Sequence, residues 1–104
     1  MFTIFKNLFK TGKHPDIAKL QAQGAIILDV RTKKEYASGH IRGSLNIPVN
    51  ELPVNLFQLP NNDRPVITCC ASGTRSKAAL ALLEKSGYKT VYNGGSWTDL
   101  QHQL

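Results

Sequence analysis

The 104 residues fit one domain, and with 41% hydrophobic residues the chain can bury one modest core. Thirteen Lys and Arg against seven Asp and Glu give a net charge of +6, which favours anionic partners. The basic residues are dispersed, with no run of five and no aromatic-basic nucleic-acid motif, so nucleic acid is not an expected partner, and no apolar run reaches the roughly 18 residues of a membrane span.

Residues 1–13 place Phe2, Phe5, Leu8 and Phe9 at near-helical spacing among Lys6, Lys10 and Lys13, which reads as a basic amphipathic arm ahead of a domain over 14–104. The lysines interrupt it too often for a secretory signal, and no small-residue cleavage site follows. A cytoplasmic location is therefore expected, and in a reducing compartment the adjacent Cys69 and Cys70 are read as thiols.

Pro15 suits a first helical turn, and "DIAKLQAQG" predicts a short helix stopped at Gly24. "AIILDV" is an apolar run too short for a helix, predicting a buried strand that ends near Asp29. "TKKEYASGH" predicts a short helix closed by Gly39, "SLNIP" a brief strand, and "NELPVNLFQLP" a helix weakened by Pro53. "NNDRP" is loop by composition. "VITCC" predicts a second buried strand, "SKAALALLEKSG" a helix, "TVYNGG" a third main strand, and "SWTDLQHQL" a closing helix. Strands alternating with helices imply an α/β fold, a parallel central sheet with helices on both faces. Its crevice would lie at the carboxyl ends of the strands, where Asp29, Arg31, Cys69, Cys70 and the turn at Gly94 and Gly95 collect.

The stretch "VITCCASGTRS", residues 66–76, carries the chemistry. From Cys69 to Arg75 there are five intervening residues and from Cys70 four, and the two spacings belong to different reactions. A strand that ends in cysteine, crosses a small-residue loop and enters a helix at Arg75 or Ser76 surrounds a thiolate with inward N–H groups and a helix N-terminus. Gly73 suits a turn that needs positive φ, and Ala71 and Ser72 leave the mouth open. Neighbouring side chains on a strand point to opposite faces, so with Cys70 at the loop rim as nucleophile, Cys69 faces the packed side. Arg75 in a first helical turn opposes the helix dipole, and an anion held in the loop would supply its partner.

Three blocks, "LDVRTKKEYASGHIRGSLNIP" at 28–48, "RPVITCCASGTRSKAALALL" at 64–83 and "GYKTVYNGGSWTDL" at 87–100, together resemble a single-domain rhodanese, a sulfurtransferase module. The resemblance implies a six-residue active loop over 70–75 opened by the nucleophile Cys70, with Ala71, Ser72, Gly73, Thr74, Arg75 and Ser76 binding substrate. It puts Asp29 and Arg31 in supporting positions beside the loop. Gly39, His40 and Gly43 look structural, and Trp97 is expected to pack the last helix.

The implied partners are a small anionic sulfur donor such as thiosulfate and a thiol, cyanide or protein acceptor, with no metal or cofactor. Neutral Ala71 and Thr74 stand where some relatives carry basic residues, so a persulfide donor is expected to serve better than thiosulfate. Two readings compete: a cysteine-dependent phosphatase or arsenate reductase using Cys69 and Arg75, and a rhodanese-fold redox or protein-interaction module. The flanking blocks favour the register that opens at Cys70.

Overall fold

The computed structural model describes residues 16–60 and 63–104. The expected arm over 1–13, the helical role of Pro15 and the loop residues Asn61 and Asn62 lie outside the described residues. Four strands, β1 (Ile26–Asp29), β2 (Leu45–Asn46), β3 (Val66–Cys70) and β4 (Val91–Ser96), form one parallel sheet in the order β2-β1-β3-β4. Every residue of β1 and β3 is buried, as two-faced central strands require.

Helices α1 (Ile17–Ala22), α2 (Lys33–Ala37), α3 (Thr74–Lys85) and α4 (Trp97–Gln101) connect and cover the strands. On one face, Ala79 and Leu83 of α3 join Leu52 and Leu59 over Ile26, Leu28, Val30, Val66 and Cys70. On the other, Ile17 and Leu20 of α1 and Leu100 of α4 cover Ile27, Ile67 and Cys69. The adjacent cysteines thus belong to two different cores, the direct result of the two-residue period of a strand.

Local chemistry fixes the ends of these elements. Asp16 caps α1 by accepting from the Lys19 N–H at 3.1 Å, and Ser96 caps α4 by accepting from the Asp99 N–H at 3.2 Å. Thr32 and Glu35 form a reciprocal capping box on α2, in which Thr32 Oγ1 accepts from the Glu35 N–H and Glu35 Oε1 accepts from the Thr32 N–H.

Two boundaries differ from expectation. The segment around Pro53 is not an α-helix but two 3-10 pieces, Val49–Val54 and Leu56–Gln58, because proline removes one N–H and forbids a continuous α ladder. Helix α3 starts at Thr74, one or two residues before the expected Arg75 or Ser76, since Gly73 at φ +104° turns the chain directly into it.

One irregularity shapes the site. Thr68 pairs with Asn93 and Cys70 with Ser96, so two steps along β3 match three along β4. The extra residue is a bulge at Gly94 and Gly95, which bends β4 and turns Asn93 toward the loop that follows β3.

Candidate active site

Loop 70–75 leaves the carboxyl end of β3 and wraps back over its last residue. Cys70 Sγ accepts hydrogen bonds from the Gly73 N–H at 2.9 Å and the Ser76 N–H at 3.3 Å, and its thiol reaches Ser76 Oγ at 3.4 Å. Burial on its own pushes the Cys70 thiol up, but the Ser76 hydroxyl and the amides of Ser76, Gly73 and Ser72 outweigh it and hold the thiol below its ordinary value. The N-terminus of the twelve-residue α3 adds partial positive charge on the same side.

Cys70 itself is fully buried, where an open rim was expected. The loop folds its backbone over the sulfur to deliver those N–H groups, and Ala71 and Ser72 are the exposed residues above it.

Cys69 is a contrast one residue away. It is equally buried, among Ile27, Ile67 and Leu100, and burial together with the nearby charge of Asp29 pushes its thiol up to about 12. A phosphatase-type loop opened at Cys69 would need that sulfur as a thiolate, and its surroundings oppose one.

Arg75 has a partner within the chain. Its Nη1 and Nη2 donate to Glu35 Oε1 and Oε2 at 2.7 and 3.0 Å, a two-bonded ion pair about one third exposed. The same carboxylate accepts from Arg75 and from the Thr32 N–H, and together these hold Glu35 at about 2. The cation that opposes the dipole of its own helix is thus paired across space by α2.

Asp29 and Arg31 are buried scaffold beside this site. Arg31 Nε and Nη2 donate to the Asp29 carboxylate at 3.0 and 2.8 Å, and its guanidinium also donates to the Gly39 and Glu35 carbonyls. The guanidinium lies 4.7 Å from the centre of the Trp97 ring, and a side chain at Gly39 would press on that ring, with its Cβ 3.3 Å from Trp97 Cη2. His40 stacks on Tyr36 at 3.8 Å and hydrogen-bonds the Tyr36 carbonyl at 2.7 Å, which accounts for both faces of its role in the turn.

Two residues that sequence reasoning passed over complete the site. Glu35 was visible in the pattern T-x-x-E at 32–35 as a helix cap, though nothing local linked it to Arg75. Asn93 had no signal beyond preceding a glycine turn. Its Oδ1 accepts from the Ser76 hydroxyl at 2.6 Å and from the Gly95 N–H at 2.9 Å, and Ser76 in turn contacts Cys70 Sγ.

A parallel α/β sheet whose central strand ends in a thiol cradled by loop amides and a helix N-terminus defines a cysteine-loop α/β domain. A family model described as a rhodanese-like domain matches residues 14–102, and the chain belongs to that family. A sulfurtransferase of Allochromatium vinosum is 37% identical over 84 residues, 79% of this chain and 78% of the relative. A thiosulfate sulfurtransferase GlpE of Pseudomonas fluorescens is 35% identical over 74 residues, 71% of this chain and 67% of the relative. Among solved structures, the human single domain sulfurtransferase TSTD1 superposes with a TM-score of 0.71 at 30% identity, over 86% of this chain and 93% of that one.

Proposed function

We propose that the chain is a sulfurtransferase that carries a sulfane sulfur on Cys70 as a persulfide. The observation that supports this reading is the pair of donors aimed at Cys70 Sγ, the Gly73 and Ser76 amides, with the Ser76 hydroxyl alongside at 3.4 Å. Such a cradle stabilises the thiolate before reaction and the persulfide anion after it.

In the first half-reaction the Cys70 thiolate attacks the outer sulfur of a donor. A sulfur–sulfur bond forms, the bond to the donor's remaining fragment breaks, and that fragment leaves with the electron pair, as sulfite when the donor is thiosulfate. In the second, an acceptor nucleophile such as a thiolate or cyanide attacks the outer sulfur and Cys70 regains its electron pair. No proton has to move at the reacting atoms.

The donor that suits this loop is a persulfide monoanion of a small thiol or a protein. Ala71 and Thr74 are neutral and Arg75 is engaged by Glu35, so the loop's own side chains offer a dianion no unpaired cation. Thiosulfate is then the poorer donor. A cytoplasmic protein meeting small-molecule or protein acceptors is consistent with this chemistry.

The test is the intact mass of the reduced protein before and after brief exposure to a persulfide or to thiosulfate, with Cys70→Ser and Cys69→Ser alongside. A gain of one sulfur atom that cyanide removes, lost in Cys70→Ser and kept in Cys69→Ser, is the expected result. Equal loss in both variants would overturn the assignment of Cys70. Hydrolysis of a phosphoryl substrate that depends on Cys69, with no sulfur gained, would replace this function with a phosphatase.

A further inference from the structure

The Ser76 hydroxyl has one proton and three acceptors around it. Asn93 Oδ1 lies at 2.6 Å, the Gly73 carbonyl at 3.0 Å and Cys70 Sγ at 3.4 Å. The orientation of the Asn93 amide is fixed by its neighbours. The Gly95 N–H can only donate, so the atom it meets at 2.9 Å is the oxygen, and the amide nitrogen then faces the Gly73 carbonyl at 3.4 Å. The same oxygen faces Ser76, so the short bond is made by the Ser76 proton. Ser76 therefore offers its lone pairs to the Cys70 thiol, and it can donate to a thiolate only by turning its proton away from Asn93.

We propose that Asn93 is a positioning residue that sets the protonation state of Cys70 by competing for the single proton of the Ser76 hydroxyl. When Cys70 carries its proton, the thiol donates to Ser76 Oγ and the hydroxyl donates to Asn93. When Cys70 ionises, the hydroxyl must turn from Asn93 to the sulfur, and the thiolate gains a donor only as Asn93 loses one. Asn93 thus restrains a thiol that the loop amides would otherwise leave more fully ionised.

The Gly73 carbonyl is a longer acceptor for the same proton, and no charged group accounts for this effect. The charged and titratable neighbours that act on Cys70 are Arg75 of α3, already paired with Glu35 of α2, and Cys69 of β3 on the opposite face. Asp29 of β1 is neutralised by Arg31, and β4 presents only the uncharged Asn93 and Ser96 at this level. Ser76 is fully buried, so water does not take the place of either partner.

This inference rests on Cys70 as the reacting thiol, and two separate readouts keep the two claims apart. In a Cys69→Ala protein, which has a single thiol, the midpoint of alkylation against pH is measured for Asn93→Ala, Ser76→Ala and the pair together, each checked for folding by circular dichroism. Sulfur loading is followed by mass on the same samples. Asn93→Ala is expected to lower the midpoint by about one pH unit, which is about tenfold more thiolate below it. Ser76→Ala raises the midpoint, and adding Asn93→Ala to it changes nothing further.

An unchanged midpoint in Asn93→Ala, or the same downward shift with and without Ser76, overturns the proposal. Asn93→Asp keeps the shape and the oxygen that faces Ser76, and decides the matter if the alanine variant does not fold. Its stronger acceptor should raise the midpoint, and raise it more with Ser76 present than absent; an equal rise in both overturns the proposal. Failure of any variant to load sulfur while the midpoints move as expected would count against the sulfur-carrier function and leave Asn93's role standing.

Discussion

Arg75 and Glu35, 40 residues apart in the chain, close a two-bonded ion pair that ties the first turn of α3 to the first turn of α2. One carboxylate serves two helices, since Glu35 also completes the Thr32 capping box. The pair decides how much positive charge the loop shows to an incoming anion.

Replacing Glu35 by Gln should release Arg75 while keeping a side chain that can still cap α2. The KM for thiosulfate is expected to fall by about threefold to fivefold, the scale of one exposed ion pair, while the KM for a persulfide monoanion moves less. Steady-state assays with both donors check this, and a thiosulfate KM that rises would refute the idea that Glu35 withholds Arg75.

The stability side of the same pair has a defined pH window. Glu35 is held at about 2 against an ordinary value of 4.5, so its folded form favours the carboxylate. That stabilisation is complete above 4.5 and is lost as the pH falls toward 2. The Tm of the native protein should exceed that of Glu35→Gln by a few degrees near neutrality, and thermal scans taken downward in pH should show the gap closing inside that window.

Cys70 and Cys69 should separate cleanly by reactivity. The Cys70 thiol is held below its ordinary value, so its alkylation rate falls only as the pH drops through that lowered midpoint, and sulfur transfer is lost on the same acid limb. Cys69, pushed up to about 12, should remain unmodified until the protein unfolds. Peptide mass mapping after timed alkylation distinguishes the two, and comparable rates in the native state would contradict this division.

Arg31→Met removes one member of a buried ion pair and leaves the Asp29 carboxylate without its partner. The expected loss is about 3 to 5 kcal/mol, a large part of the stability of a domain this size, read from urea unfolding. Trp97 is the only tryptophan and sits against the Arg31 guanidinium, so its emission should change in the folded state of this variant.

Gly94 and Gly95 should respond differently to alanine. A Cβ at Gly94 would lie 2.8 Å from the Thr68 carbonyl oxygen and from Leu100 Cδ2, and the backbone oxygen has no room to retreat, so Gly94→Ala should cost about 1 to 3 kcal/mol. At Gly95 nothing lies within 4 Å, and only the left-handed backbone at φ +78° opposes a side chain, at about 1 kcal/mol. Denaturant midpoints for the two variants compare them directly.

The sheet was legible in the sequence because its central strands are continuous apolar runs: "AIILDV" and "VITCC" sit where their composition places them. Pro53 announced a weak helix and the backbone answered with 3-10 turns. The loop at 70–75 was legible for a local reason, since strand end, glycine turn and helix start are all neighbours in the chain. What escaped was everything joined by the strand order β2-β1-β3-β4. That order brings α2 beside the start of α3 and the bulge of β4 beside Ser76, so Glu35 finds Arg75 and Asn93 finds Ser76 over separations that periodicity does not encode.

The two adjacent cysteines, packed into separate cores on either side of β3, also determine how this protein meets an oxidant. A sulfenic acid formed at Cys70 has no second thiol on its own side of the sheet to condense with, and bringing Cys69 round would unpair the end of the central strand. Rescue must come from a thiol outside the chain, because the chain's one other thiol lies on the opposite side of the sheet. The protein's recovery from oxidation is therefore set by its surroundings and not by its own second cysteine.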